Sequence, residues 1–201
     1  MTDRGQDTPA RTESEQAPLF TIGYGARTID QFIAALKANG IEYLIDVRTS
    51  PYSKFKPEFS KDLLRYHVER AGLRYLFMGD TLGGQPKDPD CQTEGKVDYD
   101  KVRTKPFFEE GIERLGKAFA QHCRVALMCS EGRPEQCHRS KLIGEALAAK
   151  GIPVCHIDED DKLATQRQVI ERLTRGQMDL FGQPSFTSRK RHGPTEEEGT
   201  G

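Results

Sequence analysis

The densest cluster of reactive side chains follows a predicted buried strand in the second half of the chain. Cys129 ends an apolar run, and a Cys-His-Arg sequence follows at positions 137–139. A helix is predicted to begin near Pro134, which puts positions 137–139 about one turn inside it. The N-terminus of a helix attracts anions and lowers the pKa of nearby thiols. These residue types therefore favour an anion-binding site that carries a reactive thiol.

Three interpretations of this cluster remain open. In the first, Cys129 is a nucleophile and Glu131 or His138 is its partner. In the second, Cys129, Cys137 and His138 ligate zinc, but the segment has neither a Cys-x-x-Cys pair nor a clear fourth ligand, so no metal is predicted. In the third, the cysteines are small buried side chains, and only Glu131 and Arg139 contact a ligand.

A second candidate segment leaves the strand predicted at residues 43–47. Asp46 and Arg48 lie at its end, and a stretch of lysines, hydroxyl groups and aromatic rings follows, which includes Ser53 and Lys56. Arginine binds phosphate through its planar fork, and aromatic rings offer stacking faces for nucleobases. The alternative is a solvated loop in which Arg48 forms a salt bridge with Asp46 or Glu131.

A glycine-flanked turn stands between the first predicted strand and its helix. Gly23, Tyr24 and Gly25 resemble the start of a dinucleotide fingerprint, but position 28, where a third glycine belongs, holds threonine. Asp46 does occupy the place of a ribose-binding acid. Because the match is partial, we interpret the glycines as a tight turn that needs positive φ, and we predict no cofactor. Tyr24 remains a candidate substrate contact at this turn.

Composition limits the class of protein. The 201-residue chain has 30 basic and 31 acidic side chains and a formal net charge of −1, which excludes a uniformly basic nucleic-acid-binding protein. No apolar run approaches the roughly 18 residues of a membrane-spanning helix, and the first residues lack the apolar core of a secretory signal. Five cysteines, an odd number, indicate reduced thiols. We therefore predict a cytoplasmic protein with no membrane partner.

Strand and helix patterns alternate along the chain. A capping box at Thr28 and Gln31 opens the first predicted helix, and Ser60 is predicted to cap the second. The predicted strands cover residues 19–23, 43–47, 74–78, 125–129 and 153–157. Later helices are predicted over residues 106–122, 134–150 and 162–175, and residues 79–103 are predicted to form a long loop that could act as a lid. This alternation predicts an α/β fold with a mostly parallel five-stranded sheet covered by helices on both faces.

The two ends of the chain have no apolar periodicity. We predict a disordered leader over residues 1–17, a folded unit over 18–176 and a tail over 177–201. The tail begins with Gln177, Met178, Asp179, Leu180 and Phe181, which closely resemble the pentapeptide by which bacterial replication and repair proteins bind the sliding clamp. The alternative is that Leu180 and Phe181 fold back over the sheet edge.

From Thr21 to Ile157 the chain resembles the bacterial and archaeal domain of unknown function 488 family. The resemblance rests on Thr21-Ile22-Gly23, Asp46-Val47-Arg48 with Pro51 and Ser53, Leu82-Gly83-Gly84, Leu127 to Glu131, Cys137 to Ser140, Val154 and His156-Ile157. It implies a Rossmann-like three-layer α/β sandwich and a shared pocket. The pocket candidates that it implies are Asp46, Arg48, Gly83, Gly84, Cys129, Glu131, Cys137, His138 and Arg139.

These residues lead to one favoured function and two alternatives. We predict a DNA-maintenance or repair enzyme that acts on a nucleotide or nucleic acid and is recruited by the sliding clamp. Arg48 and Arg139 would hold phosphate, Asp46 or Glu131 would be the acid/base group, and Cys129 could be a nucleophile for hydrolysis or transfer. The alternatives are a cysteine-dependent sulfur or acyl transferase unrelated to DNA, and a nucleotide-binding module without catalysis.

Overall fold

The computed structural model describes residues 16–174 and 186–191. The main sheet has six strands in the order β3-β2-β6-β1-β7-β8. These strands are β1 Leu19–Gly23, β2 Tyr43–Asp46, β3 Arg74–Phe77, β6 Val125–Cys129, β7 Val154–Ile157 and β8 Leu163–Thr165. The first five pair in parallel and β8 pairs antiparallel with β7, so the predicted mostly parallel α/β sheet is confirmed. The sixth strand was not predicted, because residues 163–165 were assigned to the last helix.

Helices cover both faces of this sheet. They are α1 Ile29–Ala38, α2 Lys61–Arg70, α3 Gly79–Leu82, α4 Tyr99–Arg103, α5 Pro106–Ala120, α6 Glu145–Ala149 and α7 Gln166–Thr174. Successive residues of β1 supply the two cores, since side chains alternate across a strand. Leu19 packs into the core that includes Ile112 of α5, whereas Phe20 packs into the core that includes Phe32 of α1 and Leu64 of α2. The predicted three-layer arrangement is confirmed.

The two predicted helix caps differ in the structure. At α1, the Gln31 backbone N–H donates to Thr28 Oγ1 (3.2 Å) and the Thr28 N–H donates to Gln31 Oε1 (2.9 Å), which confirms the capping box. Ser60 does occupy the N-cap position of α2, but its side chain makes no cap hydrogen bond. Its Oγ instead accepts from the Ser53 N–H at 3.1 Å, so Ser60 closes the preceding loop.

The predicted long loop over residues 79–103 is wrong. The segment contains α3, a 3-10 turn Pro89–Cys91, a hairpin of β4 Gln92–Thr93 and β5 Lys96–Asp98, and then α4. Strand β9, Thr187–Arg191, pairs antiparallel with β5 and completes a second, three-stranded sheet. Aspartates start the helical turns: Asp98 accepts from the N–H groups of residues 100 and 101. Such short elements leave no long periodic pattern in the sequence.

The predicted helix over residues 134–150 is broken into three pieces. A 3-10 turn covers Pro134–Gln136, Cys137 is extended (φ −117°, ψ 151°), and a π-helical segment Arg139–Gly144 leads into α6. The prediction that positions 137–139 lie one turn inside a helix is therefore wrong, because the regular helical segment begins only after His138. Local side-chain hydrogen bonds favour the break, among them that from Ser140 Oγ to the Pro134 carbonyl (2.6 Å).

Two sequence predictions lie mainly or wholly outside the described residues. The predicted leader falls almost entirely on residues 1–15, and the pentapeptide at 177–181 falls between Thr174 and Phe186. Among the residues that the structure describes, none belongs to a helix long and apolar enough to cross a membrane.

Candidate functional site

Three neighbouring strands bring the candidate segments to one edge of the sheet. Gly23 at the end of β1 pairs with Cys129 at the end of β6, and Asp46 at the end of β2 pairs with Met128. Since the three strands are parallel, their carboxyl ends meet at the same edge, which is where α/β folds bind ligands. Segments that lie about a hundred residues apart in sequence therefore become neighbours.

A buried cluster of two thiols and one imidazole occupies this edge. Nδ1 of His138 lies 3.7 Å from Sγ of Cys129 and 3.6 Å from Sγ of Cys137. The three ligand-type atoms all lie within 4.8 Å of one another, and all three residues are buried. On the other side of the ring, Nε2 lies 3.0 Å from the Val47 carbonyl oxygen. A carbonyl oxygen accepts only, so Nε2 donates and Nδ1 faces the two sulfurs.

The cluster shifts the pKa values of its members in opposite directions. The hydrogen bond with Cys137 is the main cause that lowers the pKa of Cys129 well below its ordinary value; burial opposes it, and the charge of His138 supports it. Burial raises the pKa of Cys137. Burial acts to lower the pKa of His138, but the thiolate charge of Cys129 and the hydrogen bond with it raise that pKa overall. Without a metal, Cys129 is thus the group of the cluster that most readily becomes a thiolate.

Arg139 lies beside the thiols and is completely buried. One Nη donates to the Gly132 carbonyl at 2.5 Å, while Nε and the other Nη have no hydrogen-bond acceptor among the described residues. Burial lowers the pKa of Arg139, and the thiolate charges of Cys137 and Cys129 oppose this effect. Gly23 makes room for the guanidinium, because a Cβ there would lie 2.8 Å from Arg139 Nη1 and 1.7 Å from the Glu131 carbonyl oxygen.

Arg48 forms the salt bridge with Asp46 that the alternative interpretation predicts, but the pair is buried and does not lie in a solvated loop. Arg48 Nε donates to Asp46 Oδ1 at 2.9 Å and Nη2 donates to Oδ2 at 2.6 Å. The Arg48 backbone N–H (3.1 Å) and the Tyr75 hydroxyl (2.8 Å) also donate to this carboxylate. Asp46 is therefore placed to orient Arg48, and the remaining Nη1 of Arg48 has no acceptor in the described part of the chain.

Most of the other predicted contacts lie around the thiol–imidazole cluster and the Asp46–Arg48 pair. The Tyr24 ring stacks on Phe59 (centroids 4.3 Å apart), and its hydroxyl donates to Ser53 Oγ at 3.3 Å. Lys56 turns inward and donates from Nζ to the Arg27 carbonyl at 2.6 Å. The backbone N–H of Glu131 donates a hydrogen bond to Cys129, and the Glu131 carboxylate interacts electrostatically with Arg139.

The two predicted glycines are spacers. A Cβ at position 83 would lie 2.4 Å from Thr49 Oγ1, and a Cβ at position 84 would lie 2.5 Å from Cγ of His138. Contacts this short do not occur between real side chains, so only glycine allows the 83–84 backbone to approach the site. Gly83 and Gly84 thus shape the site without supplying a reactive group.

The family comparison covers the central part of this arrangement. The family model described as "Domain of unknown function DUF488" matches residues 28–146. The chain belongs to the DUF488 family. The matched DUF488 region contains Asp46, Arg48, both glycines and the thiol–imidazole cluster, whereas Tyr24 precedes it and the 177–181 segment follows it. Neither the comparison with curated proteins nor that with solved structures finds a match.

The DUF488 site also includes residues that sequence reasoning missed. Tyr75 donates to Asp46, and the buried Tyr99 hydroxyl has its pKa raised by burial and by the nearby thiolates of Cys137 and Cys129. Neither tyrosine carries a local signal, because its relevance depends on which strands and helices are neighbours. His156, which the family resemblance includes, is structural: it accepts from Thr21 Oγ1 at 2.7 Å and donates to Gln166 Oε1 at 2.6 Å.

Proposed function

We propose that this DUF488 protein is an enzyme that acts on a nucleic-acid strand, or on a nucleotide, bound across the carboxyl edge of the sheet. The observation that carries the proposal is the loop that leaves β2 at this edge. In that loop, the Phe55 side chain is 91% exposed and the Tyr52 side chain is 70% exposed. Two aromatic side chains this exposed, on one short loop, are available to bind a partner.

The loop is held firmly at its base. Ser60 Oγ accepts from the Ser53 N–H, and the Lys61 N–H donates to the Pro51 carbonyl at 2.8 Å. Phe59 is fully buried and stacks on Tyr24. The two ends of the loop are fixed, while its aromatic side chains are exposed. Binding of a nucleobase on these rings would therefore cost little free energy for ordering the loop.

The charge of the loop suits a phosphate backbone. Residues 49–56 include two lysines and no acidic residue, although the whole chain is nearly neutral. Lys56 points inward to the Arg27 carbonyl, so Lys54 is the lysine of this loop that faces solvent. The exposed Lys54 lies between Tyr52 and Phe55. Alternation of aromatic rings and cations is typical of surfaces that bind single-stranded nucleic acid, where rings stack on bases and cations contact phosphates.

The buried arginines supply the link between this loop and the site. Arg48 begins the loop. Asp46 orients its guanidinium, and Nη1 of this guanidinium has no acceptor among the described residues. Arg139 has two further N–H groups without an acceptor in the described residues. In the proposal, these N–H groups bind a phosphate oxygen, and Glu131 transfers the proton during hydrolysis or transfer, because Asp46 is buried and orients Arg48.

Oligonucleotide binding tests this function. Fluorescence anisotropy with a labelled single-stranded oligonucleotide should give a Kd about 5- to 150-fold weaker for Phe55→Ala, and weaker still for the double variant with Tyr52→Ala, since stacking contributes about 1–3 kcal/mol per base. Leu163→Ala is the matched control: Leu163 is 55% exposed, but it lies on β8, which three strands of the sheet separate from β2. Equal affinity of the wild type, Phe55→Ala and the double variant would refute the proposal.

The contact between Cys129 and His138 favours a second candidate function, sulfur or acyl transfer. The Cys129 thiol would pass its proton to His138 Nδ1, 3.7 Å away, and Sγ would form a bond to the electrophilic atom of the donor. The bond from that atom to the leaving group breaks, and the leaving group takes the proton from Nδ1. An acceptor would then displace the group and regenerate the thiol. Mass spectrometry after exposure to iodoacetamide tests this candidate, because it requires faster alkylation at Cys129 than at Cys155.

Recruitment by the sliding clamp remains part of the proposal on sequence grounds alone. Gln177, Met178, Leu180 and Phe181 lie outside the described residues, between the end of α7 and the beginning of β9. Their pattern suits a peptide that inserts apolar side chains into a groove of its partner. A clamp partner and a nucleic-acid substrate would both place the protein in the cytoplasm.

A further inference from the structure

The thiol–imidazole cluster contains the donor atoms that zinc prefers. Cys129, Cys137 and His138 offer two sulfurs and one nitrogen within 4.8 Å of one another. Soft thiolates and imidazole select Zn²⁺ over the hard cations Mg²⁺ and Ca²⁺, which prefer oxygen. Two thiolates also neutralise the charge of a divalent ion, which lowers the free-energy cost of holding it in a buried place.

The distances match tetrahedral coordination. With Zn–S near 2.3 Å and Zn–N near 2.0 Å, a tetrahedral ion separates a sulfur from a nitrogen by about 3.5 Å. The Nδ1 of His138 lies 3.7 Å from one sulfur and 3.6 Å from the other. Both sulfur–nitrogen distances are therefore within a few tenths of an ångström of the tetrahedral value, and the two sulfurs lie within 4.8 Å of each other.

The surroundings of His138 are those of a metal ligand. Its Nε2–H donates to the Val47 carbonyl at 3.0 Å, which leaves the lone pair of Nδ1 directed at the two sulfurs. Ligating histidines usually donate their other N–H to a carbonyl or carboxylate, since this fixes the tautomer and the ring orientation. Gly84 contacts the ring closely, as a Cβ there would lie 2.5 Å from Cγ, so the ring is also held by packing.

We propose that Cys129, Cys137 and His138 form a Zn²⁺ site at the carboxyl edge of the sheet. Three protein ligands leave one coordination position for water or a substrate oxygen, as in catalytic rather than structural zinc sites. The inference goes beyond the proposed function and does not depend on it, because the loop that carries Tyr52 and Phe55 contributes none of the ligands.

Metal analysis of the purified wild-type protein tests the site directly. We expect about one zinc per chain after expression in zinc-supplied medium and gel filtration without chelator. Replacement by Co²⁺ should give the visible bands of tetrahedral cobalt and the near-ultraviolet charge-transfer absorption of thiolate ligands. This spectrum needs no variant, so it remains informative if a ligand substitution prevents folding.

Variants then assign the ligands. Cys129→Ser, Cys137→Ser and His138→Ala should each reduce bound zinc to less than about a tenth of an ion per chain under chelator competition. Cys123→Ser and Cys155→Ser are matched controls, since both thiols are free, half-buried and absent from the cluster, and both variants should keep their zinc.

Three results would overturn the proposal. One is wild-type protein that binds neither zinc nor cobalt, and another is cobalt that binds without a thiolate charge-transfer band. The third is metal-free protein in which iodoacetamide alkylates Cys129 at the same rate with and without added zinc; that result would favour the nucleophilic thiol instead. Loss of oligonucleotide binding in Phe55→Ala with zinc retained would leave this proposal intact, so the two proposals can fail separately.

Discussion

Asp46 and Arg48 form a bidentate ion pair in which neither residue is more than 5% exposed, with Nε–Oδ1 and Nη2–Oδ2 distances of 2.9 Å and 2.6 Å. Both charges have left water, so each depends on the other for its stabilisation. The Tyr75 hydroxyl also donates a hydrogen bond to this carboxylate. The pKa of Tyr75 is raised, mainly by burial and secondly by the negative charge of Asp46. Asp46, which was predicted as an acid/base residue, therefore orients the guanidinium of Arg48.

Removal of Asp46 should therefore destabilise the protein strongly. Asp46→Ala leaves the Arg48 guanidinium buried without its partner, and we expect the free energy of unfolding to fall by about 3–5 kcal/mol. Urea denaturation measures this change. The control is Glu69→Ala in α2, because Glu69 and its salt-bridge partner Arg65 are both exposed, at 55% and 53%. We expect a loss of about 1 kcal/mol or less there; equal losses in the two variants would contradict the interpretation.

Gly84→Ala should disturb the site. The new Cβ would lie 2.5 Å from Cγ of His138, so the ring or the backbone must move, at a cost of about 1–3 kcal/mol. NMR should then detect displaced ring resonances of His138. Gly116→Ala is the control, since the nearest atom to a Cβ there is Ile152 Cδ1 at 3.7 Å. Because Gly116 is inside α5, alanine should stabilise the protein by up to about 1 kcal/mol.

His156 should make the protein acid-sensitive. Burial and the positive charge of Arg139 lower its pKa to about 3, whereas it takes up a proton near pH 6.5 in the unfolded chain. The unfolded state thus binds more protons between these pH values, so the stabilisation is complete above about pH 6.5 and is lost as the pH falls towards 3, at up to about 1.4 kcal/mol per pH unit.

Denaturation at several pH values checks this dependence. In His156→Gln, the slope of unfolding free energy against pH between 6 and 4 should be shallower than in the wild type by about one proton. The control Leu163→Ala should keep the wild-type slope, because Leu163 is exposed on β8 and carries no titratable group. An unchanged slope in His156→Gln would rule out a buried neutral imidazole.

Lys54→Ala should change the salt dependence of oligonucleotide binding. One phosphate contact releases one condensed counterion, so the slope of log K against log salt should become shallower by about 0.7 for a single-stranded ligand. The slope is obtained from anisotropy titrations at several salt concentrations. Lys150→Ala, at the end of α6, carries the same loss of charge and should leave the slope unchanged. A common slope for the two variants would mean that Lys54 contacts no phosphate.

Phe181→Ala tests clamp recruitment. Its ring would insert into the apolar groove of the clamp, and its removal should reduce capture by immobilised clamp at least tenfold, since such anchors contribute about 2 kcal/mol or more. Gly182→Ala is the matched control, because it changes the position next to the pentapeptide and removes no apolar anchor. Phe186→Ala would be a poor control, since Phe186 is buried in the core. Equal capture of wild type and Phe181→Ala would remove recruitment from the proposal.

Local signals in the sequence determined the parallel α/β class, the order of the main strands and helices, and the cap of α1. Each depends on neighbouring residues: apolar runs that end in glycine, and a threonine three positions before a glutamine. The candidate segments could be found for the same reason, because polar residues that follow buried strands must emerge at one edge of a parallel sheet.

Only the tertiary structure decided how these residues meet. The hydrogen bond from His138 to Val47 joins residues 91 positions apart, and it exists because β2 and β6 are neighbours in the sheet. The predicted helix is interrupted after the turn Pro134–Gln136, and both thiols lie within 3.7 Å of His138 Nδ1. Local periodicity carries no record of strand order, so the sequence alone left the thiols open to several interpretations until the fold placed them around one imidazole nitrogen.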